Sequence, residues 1–229
     1  RLAKSLNFDL TVKTHANFID DEVADALAEM GVSGVGISLY SAHEHAHEAV
    51  TRIKGSFQKT VAGSKRLVKR GVAVGLNAPI TAKNAEDIAS LFTLAEEIGA
   101  KTLNVDAQLL PDKQSDFGLM GVRTDRDSRI WGVLETLERK RDQFDDVHAF
   151  TPAPGNVGPC NAGRASLSIG PDGKVYPCTV YSKSAGDFRK NTIKEIWENS
   201  PLFAQIRQIK RDTYLVDCEG CTYQGVCSY

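Results

Sequence analysis

The sequence of 229 residues predicts an α/β protein, a partial parallel β/α barrel followed by a small domain with a β-hairpin and helices. Three observations carry this. From Phe8 to Gly99, short β-branched or apolar runs alternate with segments of helical period, the pattern that yields parallel strands joined by crossover helices. Thr151-Pro-Ala-Pro-Gly-Asn-Val-Gly-Pro159 concentrates proline and glycine, which divides the chain into domains 1–150 and 151–229. All 5 cysteines lie beyond that division.

In chain order, Phe8, Leu10 and Val12 alternate as a first strand. Asp20 is placed to cap a helix whose Val23, Leu27 and Met30 face inward and which stops at Gly31. Val32 to Tyr40 reads as a second strand. A helix with Phe57, Val61 and Val68 on its inner side ends before Gly71, and Val72 to Asn77 follows as a third strand. Ile88, Leu91, Phe92, Ala95 and Ile98 form the next helical stripe, stopping at Gly99, and Thr102 to Ala107 is a fourth strand. Residues 112–128 are polar loop. Ile130, Val133, Leu134 and Leu137 then mark a helix whose run Glu138 to Asp142 is a solvated face.

In the second domain, Ala165 to Ile169 and Lys174 to Tyr176 flank Gly170-Pro171-Asp172-Gly173, a turn in which proline fixes one angle and glycine tolerates positive φ. Thr192 and Glu195 have capping-box spacing. Ser200-Pro201 opens a further helix with Leu202, Phe203, Ile206 and Ile209 inward. Arg207, Lys210 and Arg211 read as a solvated basic face.

Composition excludes several classes of function. Lys+Arg 28 against Asp+Glu 29 leaves a net charge of -1, so no electrostatic footprint for nucleic acid exists. No stretch approaches the roughly 20 apolar residues of a membrane-spanning helix. An odd and small number of cysteines does not suit a secreted disulfide scaffold, and a reduced, cytoplasmic setting is expected. The opening Arg1 to Asn7 lacks an apolar signal-peptide core and begins without Met, as a fragment or processed chain would.

The cysteines are the most informative feature. Cys160 and Cys178 bracket the hairpin, and Cys218-x2-Cys221-x5-Cys227 follows after a gap. Short spacings let a loop turn two thiolates toward one centre, and soft sulfur ligands suit iron–sulfur clusters or zinc and not magnesium or calcium. Spacing alone leaves a cluster, structural zinc and unliganded thiols all open.

The order Cys160, Gly173, Cys178, Cys218, Cys221 and Cys227, with the sequence Cys160-Asn-Ala-Gly-Arg-Ala-Ser-Leu-Ser-Ile-Gly-Pro-Asp-Gly-Lys-Val-Tyr-Pro-Cys178, resembles the radical S-adenosylmethionine (SAM) enzymes that carry a C-terminal SPASM domain. In the front half, Val35-Gly-Ile-Ser-Leu-Tyr-Ser41, His47, Gly55-Ser-Phe57 and the strand around Asn77 are similar to the middle of a radical SAM barrel. The resemblance covers nearly the whole chain. It implies auxiliary [4Fe–4S] clusters, with Cys160 and Cys178 serving a first cluster and Cys218, Cys221 and Cys227 a second. It implies SAM as cofactor, with Ser38 and Asn77 contacting its ribose and amino-acid parts. It also implies an enzyme that produces a 5′-deoxyadenosyl radical from SAM and abstracts hydrogen from a substrate, served by a one-electron donor protein. A ribosomally made peptide is the first expected substrate, and a haem precursor or another small molecule is the second. A non-catalytic zinc-binding scaffold is the alternative from a different class.

Three departures from the family pattern qualify this. No Cys-x3-Cys-x2-Cys motif for the catalytic cluster occurs, nor does the Gly-Gly-Glu segment that usually follows it. The next family cysteine would fall at position 231, so the resemblance implies a chain truncated at both ends that holds its clusters poorly. The family's sulfatase-maturing members place an aspartate directly after the second cysteine, where Thr179 stands here, and a hydroxyl is a very weak base. No residue is assigned as catalytic.

Other features receive plainer readings. His43, His45 and His47 read as an exposed polar helix start, with metal binding at i and i+4 the alternative. Gly34 and Gly36 are expected within a strand and not in a phosphate loop. Asp172 serves its turn, and Asp106 is a candidate carboxylate.

Overall fold

The computed structural model describes residues 1–85, 88–106 and 160–209. Cys218, Cys221, Cys227, the expected helix around residues 130–137 and the boundary at 150 lie outside them. The chain divides into two compact units.

The first unit runs α1 (Leu2–Ser5), β1 (Thr11–Thr14), α2 (Asp21–Glu29), β2 (Gly34–Ser38), α3 (Glu44–Thr51), α4 (Ser56–Lys69), β3 (Val74–Pro79), α5 (Ile88–Ile98) and β4 (Thr102–Asp106). Its four strands form one sheet in the order β1-β2-β3-β4, every pair parallel. Parallel neighbours cannot be joined by a tight turn, so each connection crosses over through helix and covers one face. The covered face is apolar: Val35, Ile37, Leu39, Val74, Leu76, Ile80 and Leu103 are buried there with Leu67 of α4 and Leu91 of α5.

Local chemistry sets the helix ends. The Asp20 carboxylate accepts the Val23 N–H at 2.9 Å, occupying an otherwise orphaned donor in the first turn of α2. The glycines expected to stop α2, α4 and α5, namely Gly31, Gly71 and Gly99, all have positive φ.

Two inward faces differ from the expected ones. On α2 Leu27 is buried and Met30 packs against the core as expected, but Ala24 is buried in place of Val23, which is 39% exposed. On α4 the buried positions are Ser56, Thr60, Gly63, Ser64 and Leu67, with Phe57, Val61 and Val68 packing only at its margin. The small face lets α4 approach the loop after β1. A Cβ on Gly63 would stand 2.4 Å from the Ala16 carbonyl oxygen, and the Thr60 hydroxyl bonds to His15 O at 2.9 Å. Apolar periodicity does not register a face made of Ser, Thr and Gly.

The second unit contains β5 (Ser168–Ile169), β6 (Lys174–Tyr176) and β7 (Gly186–Asp187), antiparallel in that order, then α6 (Ile193–Asn199) and α7 (Pro201–Gln208). The hairpin turn closes with Gly170 N–H to Lys174 O at 2.9 Å. Asp172 accepts from the Lys174 N–H and the Tyr176 hydroxyl, at 3.2 and 3.0 Å. The first of these bonds chiefly holds its carboxyl below the usual range. The capping box of α6 is complete, and Pro201 stands at the start of α7. Val175, Ile196 and Phe203 form a small core with Leu167, Ala185 and Trp197. The third strand, two residues long, was not expected from the sequence. Among the described residues no helix is long and apolar enough to cross a membrane.

Candidate functional site

The strand register places polar side chains in rows on the face of the sheet turned away from the buried core. Ser38 pairs with Asn77, and Asn77 with Asn104, so the row spans β2, β3 and β4. The row beneath it is Lys13, Gly36, Gly75 and Thr102. Alternation along β3 is strict, with Val74, Leu76 and Ala78 buried and Gly75, Asn77 and Pro79 half-buried. Asn104 donates its amide to Asn77 Oδ1 at 3.4 Å.

The glycines make this face a shallow cradle. A Cβ on Gly36 would meet Lys13 Cδ at 2.8 Å, Lys13 Nζ at 2.9 Å and Asn77 Nδ2 at 3.2 Å; one on Gly75 would meet Thr102 Oγ1 at 2.7 Å. The Lys13 side chain therefore lies across β2, over Gly36 and toward Asn77. Ser38 and Asn77, named from the sequence, stand side by side in this row, together with Asn104 and near Lys13, which were not named. The alternation of Thr102-Leu-Asn-Val was a usable signal for Asn104. Lys13 needed the register, because only its pairing with Gly36 shows where the chain can pass.

The histidine segment departs from its expected role. His47 is only 1% exposed, on α3, with its Nδ1 accepting the Tyr40 N–H at 3.3 Å and its ring edge-on to Phe57 at 5.7 Å. Burial pushes its pKa below the usual value, against the opposing charge of Glu48. It is a packed core histidine and not part of an exposed helix start. His43 and His45 stack on each other at 6.0 Å. Among the described residues no group of three His, Cys, Asp or Glu is arranged to hold a metal ion.

In the second unit Cys160 and Cys178 are free thiols, the first exposed and the second half-buried. Their segments are joined: Gly163 donates its N–H to Ser166 O at 2.9 Å and to Pro177 O at 3.3 Å, immediately before Cys178. Asn161 O gathers the backbone N–H groups of Arg164, Ala165 and Ser166, folding the Cys160 loop into a tight knuckle. Thr179 is exposed beside the second cysteine. Arg207 is not on a solvated face. Its guanidinium lies 4.5 Å over the Trp197 ring, and it donates to Gly163 O and Trp197 O, each at 2.9 Å.

Residues 155–222 match the SPASM family, described as an iron–sulfur cluster-binding domain, and the span takes in Cys160, Cys178, Cys218 and Cys221. The whole chain superposes on Streptococcus suis SuiB bound to S-adenosylmethionine with a TM-score of 0.70, covering 99% of this chain and 56% of that one at 17% identity. Residues 155–222 thus match the SPASM domain, and the chain shares the fold of SuiB.

Among its relatives, an AdoMet-dependent heme synthase of Methanosarcina barkeri is 23% identical over 96% of this chain and 68% of the relative. A PqqA peptide cyclase of Ruegeria pomeroyi is 26% identical over 88% of this chain and 59% of the relative. The chain spans between about half and two thirds of the length of these proteins. Its parallel sheet and crossover helices are the radical SAM fold, and its hairpin unit lies within the SPASM match.

Proposed function

We propose that the chain belongs to a radical SAM enzyme that modifies a ribosomally made peptide, with residues 1–150 as the SAM-binding partial barrel and 151–229 as the auxiliary-cluster domain. The observation that carries the reading is the pairing of a polar, glycine-floored sheet face with a thiol-bearing hairpin in one chain matched to the SPASM family.

The residues present fit both groups. Gly36 and Gly75 let the Lys13 and Thr102 side chains lie close against the strands, and the Ser38 hydroxyl and Asn77 amide in the neighbouring row supply donors and acceptors suited to a ribose and an amino-acid moiety. Cys160 and Cys178 are unpaired soft ligands on hydrogen-bonded segments, and Cys218, Cys221 and Cys227 would serve a second auxiliary [4Fe–4S] cluster. When bound, SAM and its reducing cluster supply one-electron chemistry that leads to hydrogen abstraction from the substrate. The chain's own part is to orient the cofactor on the Ser38–Asn77 row, to exclude water behind it with the apolar layer of Ile37 and Leu76, and to hold the auxiliary ligands. Thr179 is unsuited to accept a substrate proton, so the base, where the reaction needs one, lies elsewhere. A one-electron donor protein completes the cycle, and the setting is a reducing cytoplasm.

A peptide substrate is favoured because relatives of this chain include a peptide cyclase and a protein of subtilosin bacteriocin biosynthesis. A haem-type substrate is the second reading, supported by the heme synthase relatives. Anaerobic reconstitution of the full-length protein followed by iron and acid-labile sulfide assay tests the proposal. Iron and sulfide in cluster ratio, reduced by Cys160→Ala and by Cys178→Ala, is the expected result. Zinc alone, with no sulfide, would replace the enzyme with a structural scaffold.

A further inference from the structure

The loop bearing Cys160 and the end of α7 are locked together by two crossed arginines. Arg164, four residues after Cys160, donates Nη1 to Arg207 O at 3.1 Å and Nη2 to Ile206 O at 2.9 Å, and also bonds Ile209 O. These carbonyls lie at the helix C-terminus, where intrahelical donors run out, although Ile206 O also accepts the Ile209 N–H at 3.1 Å, and a cation there opposes the negative end of the helix dipole. Arg207 reaches the other way, with Nε to Gly163 O at 2.9 Å and Nη2 to Trp197 O at 2.9 Å, its guanidinium carbon 4.5 Å from the Trp197 ring centroid. Each guanidinium therefore satisfies the backbone of the other's segment.

Gly163 is the hub between this lock and the second cysteine. Its carbonyl is held by Arg207 and its N–H by Pro177 O, next to Cys178. It sits at φ +65, and a Cβ would come within 3.0 Å of Phe203 Cδ1, so the loop is pressed onto α7 at a point where only glycine fits without strain. Cys160 thus takes its position from α7 through Arg207 and Gly163, and Cys178 is registered to the same glycine. Arginine suits this work because its planar fork engages two or three carbonyls in a fixed geometry, whereas a lysine ammonium is a compact charge on a flexible stem.

We propose that Arg164 and Arg207 are positioning residues for the Cys160–Cys178 ligand pair, holding the Cys160 loop against Pro177 so that both sulfurs present to one centre. The inference rests on the reading of these cysteines as cluster ligands. Neither arginine touches the cluster; both act through Gly163 and the end of α7.

The full-length protein is compared with its Arg164→Lys, Arg207→Lys and Arg207→Met variants, each checked for an unchanged circular dichroism spectrum at the assay temperature. In the cluster-free protein, diamide removes two electrons and two protons from a converging thiol pair, and the Cys160–Cys178 disulfide is quantified by mass spectrometry. In the reconstituted protein, iron release to a chelator and the auxiliary-cluster midpoint potential are recorded. The expected result is a lower Cys160–Cys178 disulfide yield, a moved potential and iron release faster by about tenfold, the scale typical of outer-shell changes. The lysine variants, which keep the charge and lose the fork, should behave like Arg207→Met. Folded variants with wild-type disulfide yield, potential and iron release would overturn the proposal. If Cys178→Ala also leaves iron content unchanged, the ligand reading itself has failed; if it lowers iron while the arginine variants do not, only the positioning role has failed. Where Arg207→Met does not fold, the two lysine variants decide the outcome.

Discussion

At the scale of single residues, glycines and one histidine show how much a position's neighbours determine. Gly63 costs its helix intrinsic stability, yet a side chain there would run into the Ala16 carbonyl, which is backbone and cannot swing away. Gly63→Ala should therefore destabilise the first unit by about 1–3 kcal/mol of overpacking, partly offset by better helix propensity, and show a lower denaturant midpoint at constant slope. Gly36 is different, because its obstruction is the flexible Lys13 and the Asn77 amide. Gly36→Ala should fold and yet displace both groups from the sheet face, weakening SAM binding in equilibrium dialysis while thermal stability stays near wild type. His47 has a pKa lowered mainly by burial. Above its ordinary value both folded and unfolded states hold it neutral, so its full contribution to stability is present. As pH falls below that value the unfolded chain takes up the proton first, and stability is lost until the lowered folded pKa is reached. Thermal melts of wild type should decline across that acidic window more steeply than those of His47→Gln.

At the scale of elements, the helix termini follow local rules that the sequence states openly. Asp20, Thr192 with Glu195, and Pro201 all occupy the capping positions read for them. Thr192→Ala removes the acceptor for the Glu195 N–H and should cost about 1 kcal/mol, seen as a lower unfolding midpoint of the hairpin unit. Strand position was legible and strand extent less so. β1 begins at Thr11 and not at Phe8, which is 59% exposed, because a strand lasts only as long as its partner β2 offers backbone to pair with. The face that α4 buries was misread for a related reason. Helical periodicity counts apolar residues, whereas close helix packing selects small ones, and Ser64 and Thr60 satisfy their hydroxyls on backbone carbonyls and so enter the interior without penalty.

For the molecule as a whole, two separate cores mean two separate responses. Ile37, Leu76 and their neighbours form one, and Val175, Ile196 and Phe203 the other. Stripping the clusters from reconstituted protein should raise hydrogen exchange through β5, β6, α6 and α7 while β1 to β4 keep their protection, since ligand binding stabilises the cooperative unit that contains the ligands. The family, the alternation of strand and helix, the hairpin turn and the cysteine order were all present in the linear text, because they depend on residue type at fixed spacing. Ser38 and Asn77 could be named from the strands that carry them, but that they stand side by side, with Asn104 completing the row and Lys13 crossing Gly36, depended on register. Arg207 likewise read as a surface charge until Trp197 and Gly163 were folded against it. Spacing along a chain is a local quantity and survives in the sequence. Which strands pair, and which backbone a long side chain finds, is settled only when residues far apart in the chain compete for the same buried space.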